Sequence, residues 1–84
     1  MWYVYILRSE KYSAKTYIGI TEDLKRRLGE HNAGTQPYTS KYSPWILEAY
    51  IAFSDKEKAF SFEKYLKVGS GKAFMNKRLT SSKS

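Results

Sequence analysis

The 84 residues include no cysteine, and histidine occurs once, at position 31. The first absence rules out disulfides and thiolate zinc sites. The second argues against a zinc enzyme, which usually needs several nitrogen or sulfur ligands. Acidic residues are few as well, eight against fifteen lysines and arginines, so the formal net charge is +7 and the pI is about 9.7. A surplus of that sign favours a polyanionic partner, nucleic acid first and an anionic membrane surface second. No apolar run approaches the roughly 18 residues that span a bilayer. The N-terminus opens into an alternating strand rather than the charged-then-apolar pattern of a secretion signal. Together these absences predict a cytoplasmic protein outside the membrane.

What the chain does have is aromatic bulk. Eight Tyr, four Phe and two Trp let one small domain bury a compact core, and the length leaves no room for a second. No internal repeat or linker divides it. We read residues 1–79 as the domain and Thr80 to Ser84 as a frayed tail.

Trp2 to Arg8 is rich in aromatic and β-branched residues and predicts a strand, with Tyr3, Tyr5 and Leu7 on one face and Trp2, Val4 and Ile6 on the other. After a polar turn at Ser9 to Lys15, Thr16 to Ile20 predicts a second strand, antiparallel because the connection is short. It places Tyr17 and Gly19 on one face. Thr21 then caps a helix with Glu22 and Asp23 in its first turn, where the helix dipole favours acids. On that helix Leu24, Arg27, Leu28 and His31 fall within about 100° of one another. Asn32 and Gly34 end it.

Gly34 to Pro44 reads as a polar loop holding Tyr38, Lys41 and Tyr42, and Trp45 to Phe53 as a third strand with Glu48 its one charge. Ser54 with Glu57 three residues on forms a capping-box pattern that opens a second helix to about Lys67. Gly69-Ser70-Gly71 breaks that helix, and a short third one carries Ala73, Phe74 and Lys77. Gly69-Ser70-Gly71-Lys72 is not a nucleotide loop, because the required earlier glycine is Leu66 here. The expected fold class is therefore α/β (α+β), in the order β-β-α-β-α-α, a three-stranded sheet with helices packed on it.

Glu63 falls inside the apolar stripe of Ala59, Phe62 and Leu66 on the second helix. A carboxylate there needs a partner. It is either half of an ion pair, with Lys67 at i,i+4 or with Arg27, or a metal-binding carboxylate at the floor of a cleft. Arg27 and His31 have equally plain readings, a snorkelling arginine and a packed histidine. Their i,i+4 spacing nevertheless joins a bidentate cation to a titratable ring, which suits a phosphodiester. Lys25, Arg26, Lys41, Lys64, Lys72, Lys77 and Arg78 are either ordinary solvated residues or a track for a phosphate backbone.

Taken together, Tyr3-Val4-Tyr5, Tyr17-Ile18-Gly19, Arg27, His31 and Glu63 resemble the GIY-YIG nuclease motif in type, order and spacing. The first tripeptide has Tyr and Val where the family label has Gly and Ile, a variation similar to that of small single-domain bacterial members. The resemblance runs from Tyr3 to about Arg78. It implies a three-stranded antiparallel sheet with flanking helices, and a metal-dependent endonuclease that hydrolyses DNA, structure- or strand-selective, in repair or recombination. It further implies Glu63 as ligand of one Mg²⁺ or Mn²⁺, Arg27 against the charge developing on the phosphate, and Tyr5 or Tyr17 as general base. His31 would be a second proton carrier or phosphate contact. Gly19 would let the phosphate approach closely, with Lys25, Arg26 and Lys67 as further substrate contacts. Many members also place an asparagine after the glutamate, and Asn76 is the nearby candidate. The expected partner is nucleic acid, DNA before RNA, single-stranded or structured, with branched or damaged DNA and RNA left open. The rival expectations are a non-catalytic nucleic-acid-binding module of the same fold, and an interaction domain whose motif residues serve stability alone.

Overall fold

A computed structural model describes residues 1–35 and 37–79. Its elements run β1 (Trp2–Ser9), β2 (Thr16–Thr21), α1 (Leu24–Asn32), α2 (Pro37–Lys41), β3 (Trp45–Phe53), α3 (Lys56–Leu66) and α4 (Gly69–Phe74), ending in a π-helical turn, Met75–Leu79. The three strands form one antiparallel sheet in the order β2-β1-β3. The expected sheet and its order along the chain are what the structure shows. The expected tail, Thr80 to Ser84, lies outside the described residues. Among those described, no helix is long and apolar enough to cross a membrane.

Because side chains alternate across β1, each sheet face receives its own core. Val4 and Ile6 join Ala59 and Leu66 of α3 and Met75 on one face. Tyr5 and Leu7 join Trp45 on the other, where Leu24 and Leu28 of α1 cover them. The third strand serves both faces through an irregularity. Ile6 pairs with Ala49 but Leu7 pairs with Leu47, so Glu48 is the extra residue of a β-bulge. The bulge resets the alternation and sends Trp45 to the α1 side and Phe53 to the α3 side. Glu48 meets Arg8 at 2.9 Å in a largely buried ion pair.

Both expected helix caps shift toward an aspartate. Thr21 cannot cap α1, because it is still paired with Tyr3 in the sheet. Asp23 takes the position, its carboxylate accepting from the Arg26 amide at 3.0 Å, and the first turn therefore holds no acid. Thr21 instead accepts from the Asp23 amide at 3.1 Å, turning the chain from strand to helix. Asp55, not Ser54, caps α3, accepting from Glu57 and Lys58. A carboxylate satisfies the free amides and also meets the positive end of the helix dipole, which a hydroxyl does not.

The end of α1 matches its expected stop. Gly34 has φ +81°, the left-handed conformation that closes a helix without a Cβ penalty, and the Thr35 amide returns to the Glu30 carbonyl at 3.4 Å. The segment after it is not the expected loop. Pro37 opens a short helix, α2, in the position where a missing amide costs nothing. That helix is clamped from beneath. The Trp45 indole donates to the Thr39 carbonyl at 2.6 Å, and Asn32 bonds both the amide and the carbonyl of Trp45, at 2.6 and 3.1 Å.

The glycines after α3 meet expectation in part. Gly69 marks the expected break, opening α4 with φ +37°, but Gly71 lies within α4 rather than between helices. Gly71 is buried, and a Cβ there would fall 2.5 Å from the Tyr65 carbonyl carbon, so α4 meets the end of α3 backbone to backbone. Neither backbone can yield cheaply. Gly71→Ala should lower unfolding stability by about 1–3 kcal/mol in urea titrations, and an unchanged midpoint would refute this close packing.

Candidate active site

Strand pairing builds the first part of the site. Tyr5 stands opposite Gly19, and Leu7 opposite Tyr17. The Tyr5 ring lies across Gly19, where a Cβ would come within 2.5 Å of ring carbon Cζ. The glycine thus admits the tyrosine. The expectation that it leaves room for a phosphate is corrected, because the Tyr5 ring already occupies that space.

Tyr5 is 2% exposed, and its Oη lies 2.9 Å from His31 Nε2 on α1. The Tyr17 ring stands edge-on to the same imidazole, with centroids 4.9 Å apart, and 6.4 Å from the Tyr5 ring. Arg27, one turn earlier on α1, adds its charge to this cluster. Its Nε is 3.1 Å from Glu30 Oε1. That is ion-pair distance without hydrogen-bond alignment, for Nε is buried with no hydrogen-bond partner.

Burial, and then the neighbouring Tyr17, push the Tyr5 hydroxyl up to about 12, while the Arg27 guanidinium pulls the other way. Burial, and then Arg27, pull His31 below the usual histidine range, opposed by Glu30. At neutral pH the pair is a protonated phenol and a neutral imidazole. One imidazole nitrogen then carries a proton and the other a lone pair. Nε2 serves Tyr5, while Nδ1 is buried without a partner among the described residues.

Glu63 stands apart from this cluster. It projects from α3, the helix on the other face of the sheet. Its Oε2 lies 2.6 Å from Lys67 Nζ, so of the two cations the sequence allowed, Lys67 is the partner and Arg27 turns to Glu30 instead. A cleft of about 230 Å³ wraps around the edge strand β2, lined by Tyr17 and Tyr38 and by Lys67, Lys72 and Met75. Glu63 itself lines a separate hollow with Phe60, Ser61 and Lys64. The structure therefore gathers Tyr5, Tyr17, Arg27 and His31 on one layer, and links Glu63 to the Tyr17 cleft through Lys67.

Other expected contacts find different neighbours. Arg26 is exposed and paired with Glu30 at 3.0 Å and with Asp23 at 3.8 Å; Lys25 is exposed. Asn76 is exposed on the π-helical turn, one residue past Met75 of the cleft wall. Among the described residues no three His, Asp or Glu side chains gather into a metal site. Of the cations that could track a phosphate backbone, Lys72 lines the cleft, and so does Tyr38, which the sequence pattern placed only in a loop. The signal for Tyr38 was Pro37 at a helix start with tyrosines at i and i+4.

Comparison with known protein families identifies the GIY-YIG catalytic domain over residues 1–78. The chain belongs to the GIY-YIG nuclease family. Its sequence is 42% identical over 66 residues to a UPF0213 protein of Streptococcus pyogenes serotype M3, covering 77% of this chain and 70% of that one. It is 35% identical over 65 residues to a structure-specific endonuclease subunit SLX1 homolog of Giardia intestinalis, covering 73% of this chain but only 18% of the relative's length. The solution structure of a UPF0213 protein of Bacillus halodurans superimposes with a TM-score of 0.56 at 31% identity, covering 94% of this chain and 87% of that one. In the GIY-YIG domain of this chain the two motif tripeptides lie on neighbouring antiparallel strands and meet at one pair, Tyr5 opposite Gly19.

Two predictions follow from the Tyr5–His31 contact. Tyr5→Phe strands Nε2 beside the unpartnered Nδ1, and should cost about 1–3 kcal/mol in urea unfolding. Because the folded pKa of His31 is depressed, the unfolded chain binds the proton more readily. Its contribution is complete above the unfolded value near 6.5 and is lost as pH falls through that value toward the folded one. Unfolding midpoints between pH 5.5 and 7.5 should therefore fall with acid, and His31→Gln should flatten the slope. An equal slope in both proteins would assign it to other groups.

Proposed function

We propose that this domain is a metal-dependent endonuclease hydrolysing phosphodiester bonds in DNA, structure- or strand-selective, with a place in repair or recombination. The observation that carries the reading is the β2 cleft, where the half-buried Tyr17 hydroxyl-bearing ring meets two lysines and rests on the Tyr5–His31 pair. Tyr17 is the better candidate for general base, since Tyr5 is sealed beneath it with its hydroxyl engaged by His31. Tyr5 and His31 then hold the Tyr17 ring in place. Arg27 offers its guanidinium to the phosphate oxygens as charge develops on them, and Lys67 and Lys72 draw the backbone into the cleft. A cytoplasmic location accords with such a substrate.

Glu63 supplies a half-buried hard oxygen donor, and with waters and phosphate oxygens it would hold one Mg²⁺ or Mn²⁺, as magnesium sites with few protein ligands do. Such an ion supplies charge neutralisation and a more acidic water. The Lys67 ammonium now holds the same oxygen. An i,i+4 pair of this kind, half exposed on the lysine side, contributes only about 0.3–0.5 kcal/mol, so a divalent ion displaces it at little cost. That engagement of Glu63 is also the one observation favouring the second reading, a nucleic-acid-binding module without catalysis.

Labelled single-stranded, duplex and branched DNA incubated with Mg²⁺, Mn²⁺ or EDTA should be cut only with metal. Glu63→Gln and Arg27→Ala should each lose about 10²-fold or more in rate. Cutting by Glu63→Gln at the wild-type rate would refute the assignment, and binding without cutting would favour the second reading. Lys67→Met should tighten Mn²⁺ binding to the protein alone, measured by calorimetry, with no DNA present. Unchanged affinity would show that the ammonium does not compete with metal.

A further inference from the structure

Beyond the cleft, a row of tyrosines continues along the surface. Tyr38 lies 6.4 Å from Tyr17, Tyr42 lies 5.2 Å from Tyr38, and Tyr12 lies 5.4 Å from Tyr42. The row begins at the cleft and ends at the β1–β2 turn. Tyr38 and Tyr12 are half exposed, at 50% and 52%, and Tyr42 is partly buried between them. Two ammonium groups flank the row, Lys15 Nζ at 5.3 Å and Lys41 Nζ at 5.7 Å from the Tyr42 ring centre. Among the described residues neither lysine is paired with a carboxylate.

The row is held rigidly. Thr39, fully buried, fixes α2 through the Trp45 indole. The Tyr42 carbonyl accepts from the Ser9 hydroxyl at 2.6 Å, and the same oxygen of Ser9 accepts from the Tyr12 amide at 3.0 Å. Two half-exposed tyrosine rings on a fixed frame, with cations free of carboxylates between them, match what an unpaired strand requires. Bases stack on the aromatic faces whatever their identity, and phosphates lie against the lysines. A duplex conceals its base faces and can use only the lysines.

We propose that Tyr38 and Tyr12, with Lys15 and Lys41, form a binding track for single-stranded DNA leading from the cleft to the β1–β2 turn. This rests on the reading of the domain as a DNA-cutting enzyme and adds the path of the strand. Base stacking on Tyr38 places the neighbouring phosphate at the cleft that Tyr17 lines. Stacking of this kind is worth about tenfold or more in affinity per base.

The test is fluorescence anisotropy with a labelled mixed-sequence DNA 15-mer in EDTA, so that binding is read without cleavage. Its duplex and the RNA of the same sequence serve as competitors. Tyr38→Ala and Tyr12→Ala should each weaken binding about tenfold, while Tyr38→Phe, which keeps the ring, should bind as wild type does. Lys41→Ala should weaken binding and reduce its salt dependence. Lys58→Ala, far away at the start of α3, is the control. Thermal melts establish that each variant is folded. Irradiation of a 5-iodouracil oligonucleotide should crosslink it to Tyr38 or Tyr12. Wild-type affinity in both folded alanine variants, equal binding of the duplex, or tighter binding of the RNA would each overturn the track. Retained metal-dependent cutting alongside any of these would leave the nuclease reading standing, so the two failures are distinguishable.

Discussion

The Tyr5 ring enters the space that Gly19 leaves on the neighbouring strand, and its hydroxyl then meets His31 at the far end of α1. Three elements separated along the chain are held by that one side chain. The sheet register places the glycine under the ring, and the length of α1 from its Asp23 cap places the imidazole at its end. Tyr17 and Arg27 owe their positions to it. Tyr17 leans on His31, and Arg27 sits one turn before His31 on the same helix face. Burial, which makes the contact firm, also keeps both partners neutral. That separates a sealed supporting pair from the tyrosine that faces the cleft.

A second set of contacts assembles the other wall. The bulge at Glu48 turns Trp45 toward α1, where Asn32 grips its backbone and its indole grips α2. Without that reversal, α2 would have no anchor and Tyr38 no fixed place at the cleft. The wall on the opposite side is made by α4, and Gly71 brings it against α3 closely enough for Lys72 and Met75 to line the same space as Lys67. The cleft exists because both sheet faces contribute to it around the edge of β2. An edge strand is where two layers can meet without a third strand between them.

Much of this was legible along the chain. Three strands, two principal helices and the antiparallel hairpin follow from alternation and from helical spacing, and Arg27 and His31 share a face because helical geometry requires it. The caps were missed by one or two residues, because a threonine that looks free in sequence is occupied by the sheet, and because carboxylates outcompete hydroxyls at a helix start. The helix at Pro37–Lys41 was missed because five residues carry too little periodicity, and its stability comes from Trp45. The glycines at 69 and 71 read as breakers. In the fold Gly69 does mark the break, opening α4 with φ +37°, but Gly71 lies inside the helix for a contact with Tyr65 that no local pattern encodes.

The sequence by itself determined the family, the strands and helices, and the residue types of the site, since these depend on local spacing and on the order of chemical groups. Tertiary structure alone decided which tyrosine is exposed, which cation Glu63 holds, and what fills the space above Gly19. Each of those is a choice among partners far apart in the chain but equally compatible with it. Such choices are settled by register, bulge and packing, which operate at distances of a few ångströms across elements and leave no periodic trace in the residues between.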